Sequence, residues 1–276
     1  MASSRRFPRH IALPQDHGSW AFLLTPLVLG AVAGGRLRVP SIYLAVAALA
    51  GFLLRQPLAV LVKVASGRRP GRERGPALRF AAVYAAIAAL HVTGLVLRGY
   101  GYVLWLALPA APVAAWHFAL VARRAERRQP LVEVLAAGAL ALAAPGAMWV
   151  GRGAPDPAGW ALWGLLWAQA AASILLVHVF LRWRDRGGAV PAAGERWISG
   201  GPALALSAVA LGAALLLGGA GIVPRGIAAA HGVDLAFVAA GLVRPPRPLK
   251  PRRIGWRQAA ATATFAAAFA AGWLAG

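Results

Sequence analysis

The chain contains no cysteine among its 276 residues, and only eight residues are aspartate or glutamate. Without cysteine it can form no disulfide, thiolate nucleophile, iron–sulfur cluster or Cys-ligated zinc site. The few acids form no Asp/Glu-rich motif for Mg²⁺, and there is neither a phosphate-binding glycine-rich loop nor a paired nucleophile and base. The sequence therefore predicts no metal and no cofactor.

Apolar residues, by contrast, make up 59% of the chain. They fall into nine stretches, each long enough to cross a hydrocarbon core of about 30 Å as a helix. The stretches are approximately 18–34, 42–64, 78–97, 102–122, 131–150, 158–181, 202–217, 222–243 and 256–274. We therefore predict an all-α, polytopic transmembrane bundle of about nine spans. It forms one integral membrane domain over residues 1–276, with residues 1–17 as a cytoplasmic N-terminal segment.

The basic residues alternate along the predicted loops. Twenty-two arginines and lysines fall in the N-terminal segment and every second loop, against five in the loops between them: Arg36, Arg38, Arg98, Arg152 and Arg225. The positive-inside rule then predicts a bacterial inner-membrane protein with its N-terminus in the cytoplasm and its C-terminus outside. Because the net charge of +21 is divided among short loops, we expect membrane lipid as a partner and no nucleic acid.

The second span carries the most informative polar residues. Arg55 lies about ten residues, or roughly 15 Å, from the cytoplasmic end, and Lys63 lies near that end. Gln56 and Lys63 are seven residues apart and share a helix face, and Pro57 predicts a kinked or unwound turn. A cation at this depth is typical of a ligand-facing cavity. The alternative is a buried ion pair that holds helices together.

Counter-ions for Arg55 are scarce. Asp234 is the only acid deep within an apolar span, and His231 precedes it by three residues on the same face. Glu133 follows Pro130 in the first turn of the fifth span, where an acid also favours a helix N-terminus. We expect Asp234 or Glu133 to neutralise Arg55, with His231 in support.

Two further groups lie at the predicted cytoplasmic boundary. His178 and Arg182 share one face at the end of the sixth span. An ordinary basic flank would explain the neighbouring Arg184 and Arg186, but it explains His178 less well. His17 belongs to a polar cluster that opens the first span and could simply cap that helix. We expect Arg182 to bind the ligand together with Arg55, Gln56 and Lys63, with His17 and His178 at the rim of the site.

Four sequence segments resemble the YwiC-like family of bacterial membrane proteins. They are PQDHGSWAFLLTPLVLG at 14–30, FLLRQPLAVLVK at 52–63, SILLVHVFLRWRDR at 173–186 and RRIGWRQ at 252–258. The family pattern has lysine where His178 stands and glutamate where Asp185 stands, so the chain departs from it there. The resemblance implies a multi-span membrane fold and no particular activity.

Nine spans with the N-terminus inside also resemble, more distantly, the UbiA prenyltransferase superfamily. That resemblance places an Asp-rich, Mg²⁺-diphosphate motif on Arg55, Gln56, Ala59 and Lys63, where the acids are replaced. Arginine and lysine could instead bind an anion directly. Mg²⁺-assisted ionisation of a prenyl diphosphate should then be lost.

The sequence thus predicts a cytoplasm-facing cavity between spans 1, 2, 5, 6 and 8. It would bind an anionic or phosphorylated, prenyl-lipid-like molecule without Mg²⁺. Three alternatives stay open: a small-anion transporter, a lipid-modifying transferase with His178 or Glu133 as general base, and an assembly factor with no ligand.

Overall fold

The computed structural model describes residues 9–14, 17–123 and 129–276. Of His17 it describes the backbone but not the side chain. Every regular element in these residues is a helix. The α-helices are α1 (Arg9–Ala12), α2 (His17–Gly34), α3 (Val39–Ala65), α4 (Arg74–Leu97), α5 (Ala107–Ala122), α6 (Pro130–Ala141), α7 (Ala143–Arg152), α8 (Ala158–Asp185), α9 (Ala193–Gly219), α10 (Ile227–Val243) and α11 (Pro251–Leu274). Short 3₁₀ segments, Gly71–Glu73 and Gly101–Leu106, precede α4 and α5. The predicted all-α class is confirmed.

Six helical segments are long and apolar enough to cross a membrane. They are Val39–Ala65, Gly71–Leu97, Gly101–Ala122, Pro130–Arg152, Ala158–Asp185 and Ala193–Gly219. Gly18–Gly34 and Ile227–Val243 are apolar but shorter. The chain is therefore a polytopic integral membrane protein, and the total of nine spans stays a prediction.

Two prolines affect helix continuity differently from the prediction. The expected unwinding at Pro57 is wrong, because α3 runs as one helix from Val39 to Ala65. The proline itself cannot donate a backbone hydrogen bond within it. The predicted fifth span is instead divided at Leu142, where Pro145 cannot donate to the carbonyl of Ala141.

The two ends of the bundle differ in charge. At one end the C-terminus of α8 packs with the start of α9, the end of α10 and the start of α11 around Trp183, Leu242 and Ile254. The end of α5 joins the loop after α3, where Arg68 donates to the Val121 carbonyl. We call this the basic end, because the arginine-rich loops lie there. The opposite end carries the other five arginines: four lie on the connections after α2, α4 and α9, and Arg152 ends α7.

Helix α8 forms the centre of the bundle and packs against α2, α6, α7, α9, α10 and α11. Close approach of α2 and α7 depends on small residues. A Cβ added at Gly151 would lie 2.8 Å from the Cα of Gly34, and one added at Gly30 would collide with the Ala144 backbone. Such glycine contacts are typical of packed membrane helices.

Candidate functional site

Helix α2 begins at middle depth along the bundle and not at its basic end. The ring of Trp20, its fourth residue, packs edge-on against Phe52 with centroids 4.9 Å apart. Phe52 is thirteen residues from either end of α3. Phe22 packs beside Ile174, eleven residues before the end of α8. The first turn of α2 therefore lies near the middle depth of its neighbours. Residues 15 and 16, which precede it, lie outside the described part of the chain.

Arg55 reaches this first turn from α3. Its Nη2 lies 3.5 Å from the Ser19 Oγ, and its guanidinium lies 5.4 Å from the centroid of the Phe52 ring. Arg55 is ten residues from the end of α3, which corresponds to about 15 Å of helix. The side chain is partly buried. A guanidinium and the amide groups of a helix N-terminus, both electropositive, thus lie together at membrane depth.

Gln56 anchors α1, a role that the sequence analysis did not foresee. Its Nε2 donates to the His10 carbonyl at 2.8 Å. The Tyr84 hydroxyl of α4 donates to the Ala12 carbonyl at 3.2 Å. Ile11 is buried in a cluster that includes Val60. Helix α1 therefore packs into the groove between α3 and α4, on the basic-end side of Arg55.

Lys63, in the last turn of α3, is partly buried and lies eight residues closer to the basic end than Arg55. His17 is the first residue of α2, but its side chain lies outside the described part of the structure. The predicted ligand roles of both residues stay predictions.

His178 and Glu133 come together across α8 and α6. The His178 Nε2 lies 3.0 Å from the Glu133 Oε2. The histidine side chain is 12% exposed and the glutamate side chain 51% exposed, so the pair lies between the protein interior and a more open space. Arg182 is exposed one turn further along α8.

Neither predicted counter-ion contacts Arg55 in the described part of the chain. Asp234 is buried and accepts hydrogen bonds from Ser207 Oγ at 2.7 Å and Gln169 Nε2 at 3.3 Å. Glu133 is engaged with His178. The reason is the topology: α10 packs against α8, α9 and α11, while α3 packs mainly against α4. His231 is fully buried beside Phe265 of α11, and it too lies apart from Arg55.

Neither of the two best-formed surface recesses of the described residues is lined by Arg55, Lys63 or His178. A recess of about 960 Å³ lies at the opposite end, between Asp156, Arg225 and Trp273. One of about 290 Å³ lies at the basic end beside Lys250 and Trp256. The predicted cavity between spans 1, 2, 5, 6 and 8 therefore stays a prediction.

The sequence did not indicate three residues whose side chains contact Arg55 or Asp234: Ser19, Gln169 and Ser207. Each is an uncharged polar residue in an apolar run, and that was the only available signal, because a hydroxyl or amide in a membrane helix usually bonds within the bundle. No group of three or more histidine, aspartate or glutamate side chains among the described residues is close enough to hold a metal ion.

Residues 13–148 match the family model described as YwiC-like protein. No curated protein and no solved structure matches the chain. The resemblance to the UbiA superfamily therefore stays a prediction.

Proposed function

Since residues 13–148 of this integral membrane protein belong to the YwiC-like family, we propose that it binds an anionic, lipid-like molecule at membrane depth, in a site reached from the basic end. The head group would be a phosphate or similar anion. It would lie between Arg55 and the first turn of α2, with Lys63 and Arg182 nearer the water. By the positive-inside rule, the basic end faces the cytoplasm of a bacterial inner membrane.

The observation that carries the proposal is the position of Arg55 beside Ser19 at membrane depth. A charged residue at the bilayer centre costs about 2.5–3.5 kcal/mol on insertion scales, so its presence needs a function or a strong partner. The amide groups of a helix N-terminus favour anions as well. Both features therefore select for negative charge at the same place.

The route to this site passes α1. Because Gln56 holds the His10 carbonyl and Ile11 is buried against α3, α1 covers α3 between Arg55 and the basic end. A lipid-like molecule would therefore approach from the side, between helices, with its apolar chain in the membrane. Lys63 and Arg182 would attract its head group from the loop region.

No Mg²⁺ is needed for such binding, because arginine and lysine contact phosphate oxygens directly. The test is thermal stabilisation of the detergent-purified protein by an isoprenyl monophosphate, measured with a chelator and then with Mg²⁺. We expect stabilisation in both conditions, its loss in Arg55→Ala and its reduction in Lys63→Glu.

Arg36→Ala is the matched control, since Arg36 is exposed in the loop after α2 at the opposite end. That variant should respond to the lipid phosphate as the wild type does. Stabilisation that requires Mg²⁺, or that survives in Arg55→Ala, would contradict the proposal. Native mass spectrometry of the wild type should also show a co-purified anionic lipid.

A second candidate is a lipid-modifying transferase, favoured by the contact between His178 and Glu133. A carboxylate that orients an imidazole is a usual arrangement for a general base. If this is correct, the purified protein should convert a prenyl phosphate and an acceptor alcohol into a prenyl ether and inorganic phosphate, with His178 accepting the alcohol proton. His178→Gln should then abolish the release of phosphate. Binding without any turnover would favour the first proposal.

A further inference from the structure

A second polar site lies in the bundle interior, separate from Arg55. Asp234 lies seven residues from the start and nine from the end of α10, so it is near the middle of that helix. Its two carboxyl oxygens have different partners: Oδ2 accepts from Ser207 of α9 and Oδ1 from Gln169 of α8. The three residues are at most 5% exposed. Their side chains form a buried polar cluster between α8, α9 and α10.

No cation lies within ion-pair distance of Asp234 in the described part of the chain. The charged groups of the neighbouring helices are engaged elsewhere. Arg257 of α11 donates to the Arg244 carbonyl, Arg196 of α9 donates to the Val243 carbonyl, and His178 of α8 is paired with Glu133. Arg182 and Glu195 are exposed at the basic end. An ionised Asp234 would therefore be buried without a neutralising cation among the described residues.

The surroundings of Asp234 suit a proton. A protonated carboxyl donates one hydrogen bond and still accepts others. The Ser207 hydroxyl, 2.7 Å from Oδ2, can accept as well as donate, so it can accept the hydrogen bond of a protonated carboxyl. The Gln169 amide N–H then continues to donate to Oδ1.

His231 is a second unusual group one turn away on α10. It is fully buried, and both of its ring nitrogens lack a hydrogen-bond partner among the described residues. Its ring packs edge-on against Phe265 at 5.2 Å. Imidazole nitrogens without partners are rare in a protein interior. The region therefore holds a carboxyl and an imidazole, the two usual proton-exchanging side chains.

Among the described residues, buried polar groups extend from Asp234 in both directions: His231 lies one turn nearer the opposite end, and further polar side chains lie toward the basic end. Ser173 lies one turn beyond Gln169 on α8, and it accepts a hydrogen bond from Gln258 of α11, the neighbour of Arg257 at the basic end. Toward the opposite end the site is closed by the apolar cluster of Leu162, Leu165, Leu166, Ile227, Ala230 and Phe265. The polar contacts of Ser173 and Gln258 therefore favour proton access from the basic end.

We propose that Asp234 is a proton-binding site in the membrane interior. It exchanges its proton with the aqueous phase at the basic end, through Gln169, Ser173 and Gln258. The site does not depend on the anion-binding proposal, because none of its residues contacts Arg55. It would let the protein couple a movement of α8 or α10 to the proton concentration on one side of the membrane.

Infrared difference spectroscopy of the protein in lipid vesicles tests the proposal directly. At neutral pH the wild type should show the carbonyl band of a protonated, buried carboxyl, and this band should disappear in Asp234→Asn. Asp156→Asn is the matched control: Asp156 forms an ion pair with Arg152 at the opposite end, so the band should persist. Gln258→Leu should keep the band but slow its shift when H₂O is replaced by D₂O.

The wild-type spectrum keeps the test valid even if a variant does not fold. Absence of the protonated band in folded wild-type protein would overturn the proposal. So would a band whose intensity falls on addition of Na⁺, because the site would then hold a metal cation. An unchanged deuterium shift in Gln258→Leu would overturn the proposed route.

Discussion

Ser19, the third residue of α2, lies 3.5 Å through its hydroxyl from the Arg55 guanidinium at the middle of α3. The contact joins the start of one helix to the interior of another. Apart from this contact and the packing of Trp20 on Phe52, the two helices touch little, because α2 packs mainly on α7 and α3 mainly on α4. The candidate anion site therefore lies where two parts of the bundle meet.

We predict that Arg55 and Asp234 are energetically independent. The structure gives them different partners, so the losses of stability in Arg55→Ala and Asp234→Ala should add to within about 0.5 kcal/mol in the double variant. Reversible unfolding in detergent provides the measurement. If the double variant is markedly more stable than the sum of the two single losses predicts, Arg55 and Asp234 form the direct ion pair that the sequence suggested.

Gly30→Ala should destabilise the bundle by about 1–3 kcal/mol, because the new methyl group meets the Ala144 backbone of α7 and the two helices must separate. The midpoint of thermal unfolding is the readout. Gly51→Ala is the control, since a Cβ at Gly51 of α3 meets nothing within 4 Å and alanine is the better helix former. Equal midpoints for the two variants would show that α2 and α7 do not pack as closely as described.

Ile11→Asp should release α1 from α3 and α4, because Ile11 is 2% exposed in an apolar cluster and an aspartate there would be buried without a partner. Trypsin cleavage after Arg9 should then become faster. Leu13→Asp serves as the control, as Leu13 is 37% exposed. If Ile11→Asp and the wild type are cut at the same rate, α1 is not held by this contact.

The orientation can be tested with reporter fusions. Because the basic end should face the cytoplasm, fusions after Ala65 and Asp185 should report the cytoplasm, and fusions after Ala33, Leu97, Val150 and Leu274 should report the outside. A cytoplasmic signal after Leu274 would mean an even number of spans. That result would also contradict the resemblance to the UbiA superfamily.

The sequence alone determined the class of the protein. Long apolar runs can satisfy their backbone hydrogen bonds in a membrane only as helices or closed barrels, and their length of about 20 residues favours helices. The helix boundaries followed closely for the first span, at His17–Gly34 against the predicted 18–34. The predicted start of the seventh span, Pro202, differs from the start of α9, which is Ala193. The helix continues through Pro202 because neighbouring groups in a membrane bundle can replace the hydrogen bond that a proline cannot make.

Only the tertiary structure decided which polar residues meet. Asp234 and Arg55 are two of the few charged residues within the predicted spans. Because such residues are few, the sequence suggested that these two form an ion pair. Helix packing instead placed Asp234 with the uncharged Ser207 and Gln169, and Glu133 with His178. Hydropathy fixes the depth of a residue but not its neighbours, since any two helices of similar length can lie side by side in lipid. The choice among them depends on close packing, as at Gly30 and Ala144, which becomes visible only in three dimensions.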